Sequence, residues 1–370
     1  MNKSSGNRVY PHADAAKREG APLDSPPMKE ESSEHPAAER VHASVTLRDV
    51  ARLAGVSSMT VSRAIHAPDR VSAPLRQRVD DAVRALGYVP NLMANGLRSS
   101  RSYLVTALVP TIAGSLFSDM VRSLTEALEA RGFQLMVGQI GYGRSREDDL
   151  LRAIIGRRPD GIVLTGILHS EEGRGMLISS GIPVVETWDT TPHPIDMLLS
   201  LSHEAIGRRV CEFLHGRGKR RLALFSGKDE RAERRMRGFL RAASDLGLDA
   251  PLLRWMDSPT THRQGREALA AVFEGDARVD GVFCSSDMMA TGVLTEARAR
   301  GIAVPDRLAV VGFGDLDFAE SVAPALTTVR IDGGAIGAMA ARMIAARADG
   351  QSPPQRIVEV EFSIVERESA

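Results

Sequence analysis

From Tyr103 onward the sequence alternates between short apolar runs and segments of helical period, and this alternation sets the fold class. Strand-like runs fall at 103–110, 133–140, 161–166, 182–187, 195–201, 221–227, 281–286, 308–313 and 326–331. Helical runs lie between them, at 119–130, 204–215, 231–246, 263–273, 288–300 and 334–347 among others. Continuous apolar strands separated by helices belong to parallel sheets covered on both faces. The units are too many for one comfortable sheet. The reading is therefore an α/β core of two doubly wound lobes, with a cleft at the carboxyl ends of the strands.

Upstream, 45–65 reads VTLRDVARLAGVSSMTVSRAI, two short helices joined by a tight turn. Leu47, Val50, Ala51 and Ala54 recur at helical spacing behind Thr46 as N-cap. Gly55 breaks the pattern where a positive φ is cheap only for glycine, Val56 plugs the corner, and Ser57 caps the second helix. In that helix Val61 and Ile65 face inward, while Ser58, Met59, Ser62 and Arg63 face outward. A short helix with an uncharged front suits a major groove roughly 12 Å wide, which makes 45–65 a helix-turn-helix rather than an ordinary helical hairpin. A third amphipathic helix follows 71–74 (VSAP), running through Leu75, Val79, Ala82, Val83 and Leu86 and stopping at Gly87.

Charge placement agrees. The formal net charge is +0, so the chain is no polycation. Between Ser44 and Arg101, however, nine arginines and no lysine stand against four aspartates. That local excess is a footprint for phosphate contact. Residues 1–43 are rich in Ser, Pro, Ala, Glu and Lys without periodicity or an apolar h-region. They read as a disordered tail and not a secretory signal; Met28 within them is a candidate translation start. Cys211 and Cys284 lie inside apolar runs and read as buried free thiols, suiting a reducing cytoplasm. No run approaches the roughly 20 apolar residues of a membrane span.

Taken together, 45–102 resembles the headpiece and hinge of the LacI family of bacterial repressors. The matching features are V-T-L-x-D-V-A-x-x-A-G-V-S, T-V-S-R, V-S, L-G-Y-x-P-N (ending at Asn91) and the hinge leucine Leu97. The resemblance covers about 45–366 and implies a periplasmic-sugar-binding-protein core at 102–366. It also implies chain crossings near Leu201–Ser202, near Thr328–Val329 and after about Arg347. The headpiece would span 44–101. Its hinge, about 90–98, is some two turns long and contains Gly96, so alone in water it should be largely unfolded. In the family this segment folds on DNA, and paired leucines wedge into the minor groove. Family members often carry arginine where Asn95 stands.

An enzyme is a poor match. Gly141-Tyr142-Gly143 invites a dinucleotide reading, but the third glycine of the fingerprint would fall at Arg146. No nucleophile elbow, P-loop or metal-spaced cluster is present, so neither a cofactor nor a metal is expected. His169, His193, His203, His215 and His262 are scattered and read as surface or capping residues; Glu171–Glu172 and Asp148–Asp149 read as solvated helix starts. A periplasmic binding protein would need a signal peptide and no headpiece.

The cleft is then a site for a small polar effector, with candidates just after strand ends. Ser118 and Asp119 begin the first core helix. Glu186, Trp188 and Asp189 follow the fourth strand, with Trp188 either stacking on a ligand or packing. Arg235, in Arg-x-x-Gly ending at Gly238, matches the family's effector-contacting arginine, and its fork suits a carboxylate or paired hydroxyls. Its alternative is a surface arginine in an arginine-rich stretch. Ser286 and Asp287 match the family's Ser/Asn-Asp pair, although Asp287 could equally cap a helix. Many members place an aspartate after V-G-[YF]; here Gly314 stands there, followed by Asp315. Losing that carboxylate suits an anionic effector. Strings around Met59 and at 141–143, 182–186, 280–287 and 312–318 resemble the gluconate-utilisation branch.

The sequence-level expectation is a cytoplasmic homodimeric repressor of sugar-acid genes. Ser58, Met59 and Arg63 would reach base edges of a double-stranded palindromic operator, and Thr46, Ser57, Thr60 and Ser72 its phosphates. Dimer contacts would come from the 119–130 helix. Gluconate or a related acid would release the DNA; a different sugar or a purine-like effector is the alternative.

Overall fold

The computed structural model describes residues 45–89, 101–112, 115–141, 147–168, 170–275 and 278–370. The tail at 1–43, the hinge with Asn91 and Leu97, and His169 lie outside the described residues. Contacts divide the chain into two compact units between Pro90 and Asn91.

Among its described residues the first unit holds three α-helices: α1 (Leu47–Ala54), α2 (Ser58–His66) and α3 (Ala73–Leu86). Their inward faces bury Val50, Ala51, Ala54, Val61, Ala64, Val79 and Ala82 as one small core. The Asp49 carboxylate accepts from the backbone and hydroxyl of Thr46, closing the start of α1. At its end Gly55 adopts φ 65, the left-handed conformation the sequence anticipates. The Ser57 hydroxyl accepts from Thr60 N at 3.1 Å and caps α2. Arg78 of α3 donates to the carbonyls of Ala54 and Gly55, so the third helix clamps the turn between the first two.

The second unit is two lobes, each built on a six-stranded sheet. The first sheet contains β1 (Leu104–Val109), β2 (Gln134–Gln139), β3 (Gly161–Thr165), β4 (Val184–Asp189), β5 (Met197–Ser200) and β11 (Ile357–Glu359), in the order β11-β5-β4-β3-β1-β2. The second contains β6 (Leu222–Gly227), β7 (Leu252–Met256), β8 (Gly281–Cys284), β9 (Ala309–Phe313), β10 (Thr327–Ile331) and β12 (Phe362–Val365), in the order β12-β10-β9-β8-β6-β7. All pairings are parallel except β10 with β12. The doubly wound reading holds, and all nine strand-like runs contain a strand.

Helices cover both sheets in pairs: α4 (Ser118–Glu129) with α11 (Gly333–Ala348), α5 (Glu147–Ile155) with α6 (Glu171–Ser180), α7 (His203–Gly216) with α8 (Glu230–Asp245), and α9 (His262–Glu274) with α10 (Asp287–Ala299). The chain passes between lobes at β5–α7, at β10–α11 and at β11–β12. The second crossing therefore follows Ile331. It lies near Thr328–Val329, as expected, although these two residues are themselves buried inside β10, where Val329 pairs with Phe313 of β9. Cys211 and Cys284 are buried and free, and burial pushes the Cys211 thiol up to about 12 and Cys284 upward as well. No described helix is long and apolar enough to cross a membrane.

Candidate functional site

In the first unit, α2 presents the face the sequence assigned to DNA. Met59 is 70% exposed, Arg63 is exposed, and Ser58 and Ser62 are partly exposed. Thr60 shares its hydroxyl with that of Ser57 at 2.9 Å, so the pair has one hydroxyl proton left for an outside acceptor. Ser72, before α3, is exposed and makes no capping bond. The sequence reading missed Arg78, whose role is to hold the turn.

In the second unit, a cleft opens between the lobes at the carboxyl ends of β4, β6, β7, β8 and β9. Its lining includes Trp188, His203, Asp229, Arg231, Arg235, Ser258, Thr260, Ser285, Ser286 and Phe313. Trp188 sits where the register between β4 and β5 shifts, at φ 62. Its indole donates to Met120 Sδ at 3.0 Å and meets Phe117 edge-on, so it is a packed wall of the cleft. Arg235 is buried, with its guanidinium 4.1 Å over the Phe313 ring. The Arg-x-x-Gly spacing has a steric cause: a Cβ on Gly238 would lie 1.9 Å from the Glu204 carbonyl oxygen, and one on Gly207 1.8 Å from that of Arg235. These two glycines let α7 and α8 touch backbone to backbone, which brings His203 and Arg235 together.

Polar groups of the second lobe complete the lining. Ser286 caps α10 by accepting from Met289 N, and its hydroxyl pairs with that of Thr260 at 2.7 Å. The Ser285 hydroxyl accepts from Gly227 N. Asp229 caps α8 through Ala232 N and accepts from Ser258. Two guanidiniums, Arg231 and Arg235, thus face one carboxylate and a row of hydroxyls. The net field favours an anion, and the helix start capped by Asp229 adds to it. Arg234 of α8 pairs with the buried carboxylate of Asp189 at the end of β4, joining the lobes.

Trp188, Arg235 and Ser286 therefore meet in the cleft. Several expected contacts do not. Glu186 is fully buried, accepts from Ile195 N at 2.7 Å and has Arg174 nearby; burial pushes its pKa up. Strand alternation would put it on the face of Trp188, but the bulge separates the two. Asp287 is also fully buried: its carboxylate accepts from the Thr328 hydroxyl and from Leu316 N. It ties α10 to β10 and has no surface in the cleft. Asp315 is held by Arg330 and Arg367. Ser118, Asp119, Asp315 and Gly314 line a second, more acidic cavity, while Leu116 and Phe117, just before Ser118, reach the main cleft. Gly314 has φ 131, a backbone conformation that itself calls for glycine.

His203 is neither a surface nor a simple capping residue. It is the buried first residue of α7, with Ser202 as cap. Among the described residues no group of three or more His, Cys, Asp or Glu is placed to hold a metal ion.

A family model described as bacterial regulatory proteins, lacI family, matches residues 46–91, and one described as a periplasmic binding protein-like domain matches 211–370. The chain is 36% identical to the HTH-type transcriptional regulator GntR of Pseudomonas aeruginosa, over 88% of this chain and 95% of that protein. The chain belongs to the LacI family. This LacI-family member is a DNA-binding transcriptional regulator with a periplasmic-binding-protein-like core. Among solved structures, a LacI-family regulator from Silicibacter pomeroyi is similar at TM-score 0.83 and 31% identity, covering 88% of this chain and 99% of that one. The regulator GntR from Chromobacterium violaceum is similar at TM-score 0.69 and 32% identity, covering 72% and 98%.

Proposed function

We propose that this regulator represses sugar-acid catabolic genes and is released from a palindromic operator by gluconate, or a closely related acid, bound in the cleft. The observation that carries the effector class is the pairing of Arg231 and Arg235 with the hydroxyls of Ser258, Thr260, Ser285 and Ser286, against Asp229 as the lone acid among the described lining residues. A carboxylate matches the arginine fork, and a polyol chain matches a row of side chains that both donate and accept. The similarity to GntR-type regulators supports the same reading.

The headpiece, 44–101, acts through α2. Ser58, Met59, Ser62 and Arg63 reach base edges, with Met59 against a thymine methyl. Thr46, Ser57, Thr60 and Ser72 sit at phosphates, and Asn91 and Leu97 belong to the hinge. The core, 102–366, forms an isologous dimer in the cytoplasm. The helix expected to pair the subunits already buries Met120, Leu124 and Leu128 within its own chain. The dimer surface is therefore its outer face, with Arg122 and Glu126, beside edge strand β2 and its exposed Met136 and Val137. Effector closes the cleft in one relative position of the lobes, and DNA and effector then weaken each other's binding by the same factor.

Fluorescence anisotropy of a labelled palindrome from the gene's own upstream region tests this. Release by millimolar gluconate and not by glucose is the expected result. Tight binding unaffected by gluconate would discard the effector, and affinity without a steep fall in salt would discard the phosphate contacts.

A further inference from the structure

His203 stands between the lobes with a different partner on each ring nitrogen. Its Nε2 lies 2.9 Å from the Trp188 carbonyl oxygen, at the end of β4 in the first lobe. Its Nδ1 lies 3.0 Å from Arg235 Nη1, on α8 in the second. The carbonyl can only accept and the guanidinium can only donate. One protonation state satisfies both: a neutral imidazole with the proton on Nε2 and the lone pair on Nδ1. The surroundings agree, since burial, and then Arg235 and Arg231, push the histidine's pKa well below its ordinary value.

The other side of Arg235 is fixed as well. Its guanidinium lies over Phe313, and the close backbone approaches of Gly207 to Arg235 and of Gly238 to Glu204 set the spacing of the two helices that carry His203 and Arg235. A neutral acceptor at 203 orients the guanidinium without cancelling its charge. A carboxylate in the same place would pair with Arg235 and compete with any anion entering the cleft.

We propose that His203 is a positioning residue for effector binding: it accepts from Arg235 to aim the guanidinium into the cleft, and donates to Trp188 to keep that aim in register with the opposite lobe. The proposal rests on the reading of the cleft as a sugar-acid site. It makes position 203 a determinant of acid over neutral sugar. It also places effector recognition one hydrogen bond from Trp188, whose indole contacts Met120 on the helix proposed to pair the subunits.

The test uses the full chain and three variants. His203→Leu removes both hydrogen bonds at similar volume. His203→Gln can accept from Arg235 and donate to the Trp188 carbonyl. His203→Glu pairs with Arg235 and neutralises it. The gluconate concentration that half-releases a labelled operator should rise at least tenfold for the Leu and Glu variants and stay within threefold of wild type for Gln. A Leu or Glu variant as sensitive as wild type, or a Gln variant no better than these, overturns the proposal. If the leucine substitution disrupts folding, judged by circular dichroism, the Glu and Gln variants carry the comparison.

If gluconate fails to release the operator from the wild type, the sugar-acid reading falls, and a second readout still decides the role of His203. In full chain labelled with ¹⁵N-histidine, the His203 ring should show the Nε2–H tautomer, and Arg235→Lys should displace its Nδ1 resonance. An Nδ1–H tautomer, or a ring indifferent to Arg235→Lys, overturns the proposal without reference to any effector.

Discussion

Replacing Asp287 with asparagine should remove a pH-dependent penalty from the stability of the core. The carboxyl group is fully buried in the first turn of α10, and burial raises its pKa from the ordinary 3.8 to about 6, against the lowering effect of the Thr328 hydroxyl and the Leu316 N–H. The folded value lies above the unfolded one, so the folded chain holds this proton more tightly. The stability this provides is fully present below 3.8 and is lost as pH rises through about 6. A gap of about two units, at about 1.4 kcal/mol each, makes the ionised carboxylate cost about 3 kcal/mol at neutral pH. Roughly 1 kcal/mol of that cost should be relieved between about pH 7 and pH 5. Asparagine can still accept from Thr328 but turns an amide toward Leu316 N, a penalty that does not vary with pH. Urea unfolding followed by tryptophan fluorescence reads the core unit, because Trp188 and Trp255 are the only tryptophans and both lie in it. Wild type should gain about 1 kcal/mol on Asp287→Asn over that pH interval. A difference that stays flat, or moves the other way, refutes the assignment of a raised carboxyl at this position.

Three further outcomes are expected. Gly238→Ala places a Cβ 1.9 Å from the Glu204 carbonyl oxygen; an overpacking cost of about 1–3 kcal/mol outweighs the roughly 1 kcal/mol of helix propensity gained, so the thermal midpoint of the core should fall by several degrees and gluconate response should weaken with it. Ser57→Ala removes the cap on α2 and should cost the headpiece about 1 kcal/mol, seen as a lower melting midpoint by circular dichroism and a weaker operator complex. Leu97→Ala should lower operator affinity while gluconate binding to DNA-free protein is retained; unchanged operator affinity would discard the hinge wedge.

The alternation of runs was legible because parallel strands buried on both faces carry an unmistakable apolar pattern, as at Gly161–Thr165 and Leu222–Gly227. The edges were not. The β7 segment, LLRWM, is only partly buried and carries Arg254, while β11 has three residues and β12 four. Missing β7 also hid the loop after it, which brings Ser258 and Thr260 to the cleft. Arg235 could be found from its spacing to Gly238. His203 could not, because its burial depends on Gly207 and Gly238 closing two helices that are separate in sequence. Glu186, Asp287 and Asp315 illustrate the opposite error. Carboxylates in or just after a strand look like ligand contacts in a sequence, but here they satisfy backbone N–H groups, a hydroxyl and arginines inside the fold.

The most direct measurement is a calorimetric titration of the full chain with gluconate and with glucose, for wild type and Arg235→Lys, free and bound to operator. Gluconate should bind the free protein, glucose should not, and losing the arginine fork should weaken binding at least tenfold. Operator-bound protein should bind gluconate more weakly, by the same factor by which gluconate weakens the operator complex. Equal binding of glucose and gluconate, or gluconate binding that ignores both Arg235 and the operator, would contradict the proposed function.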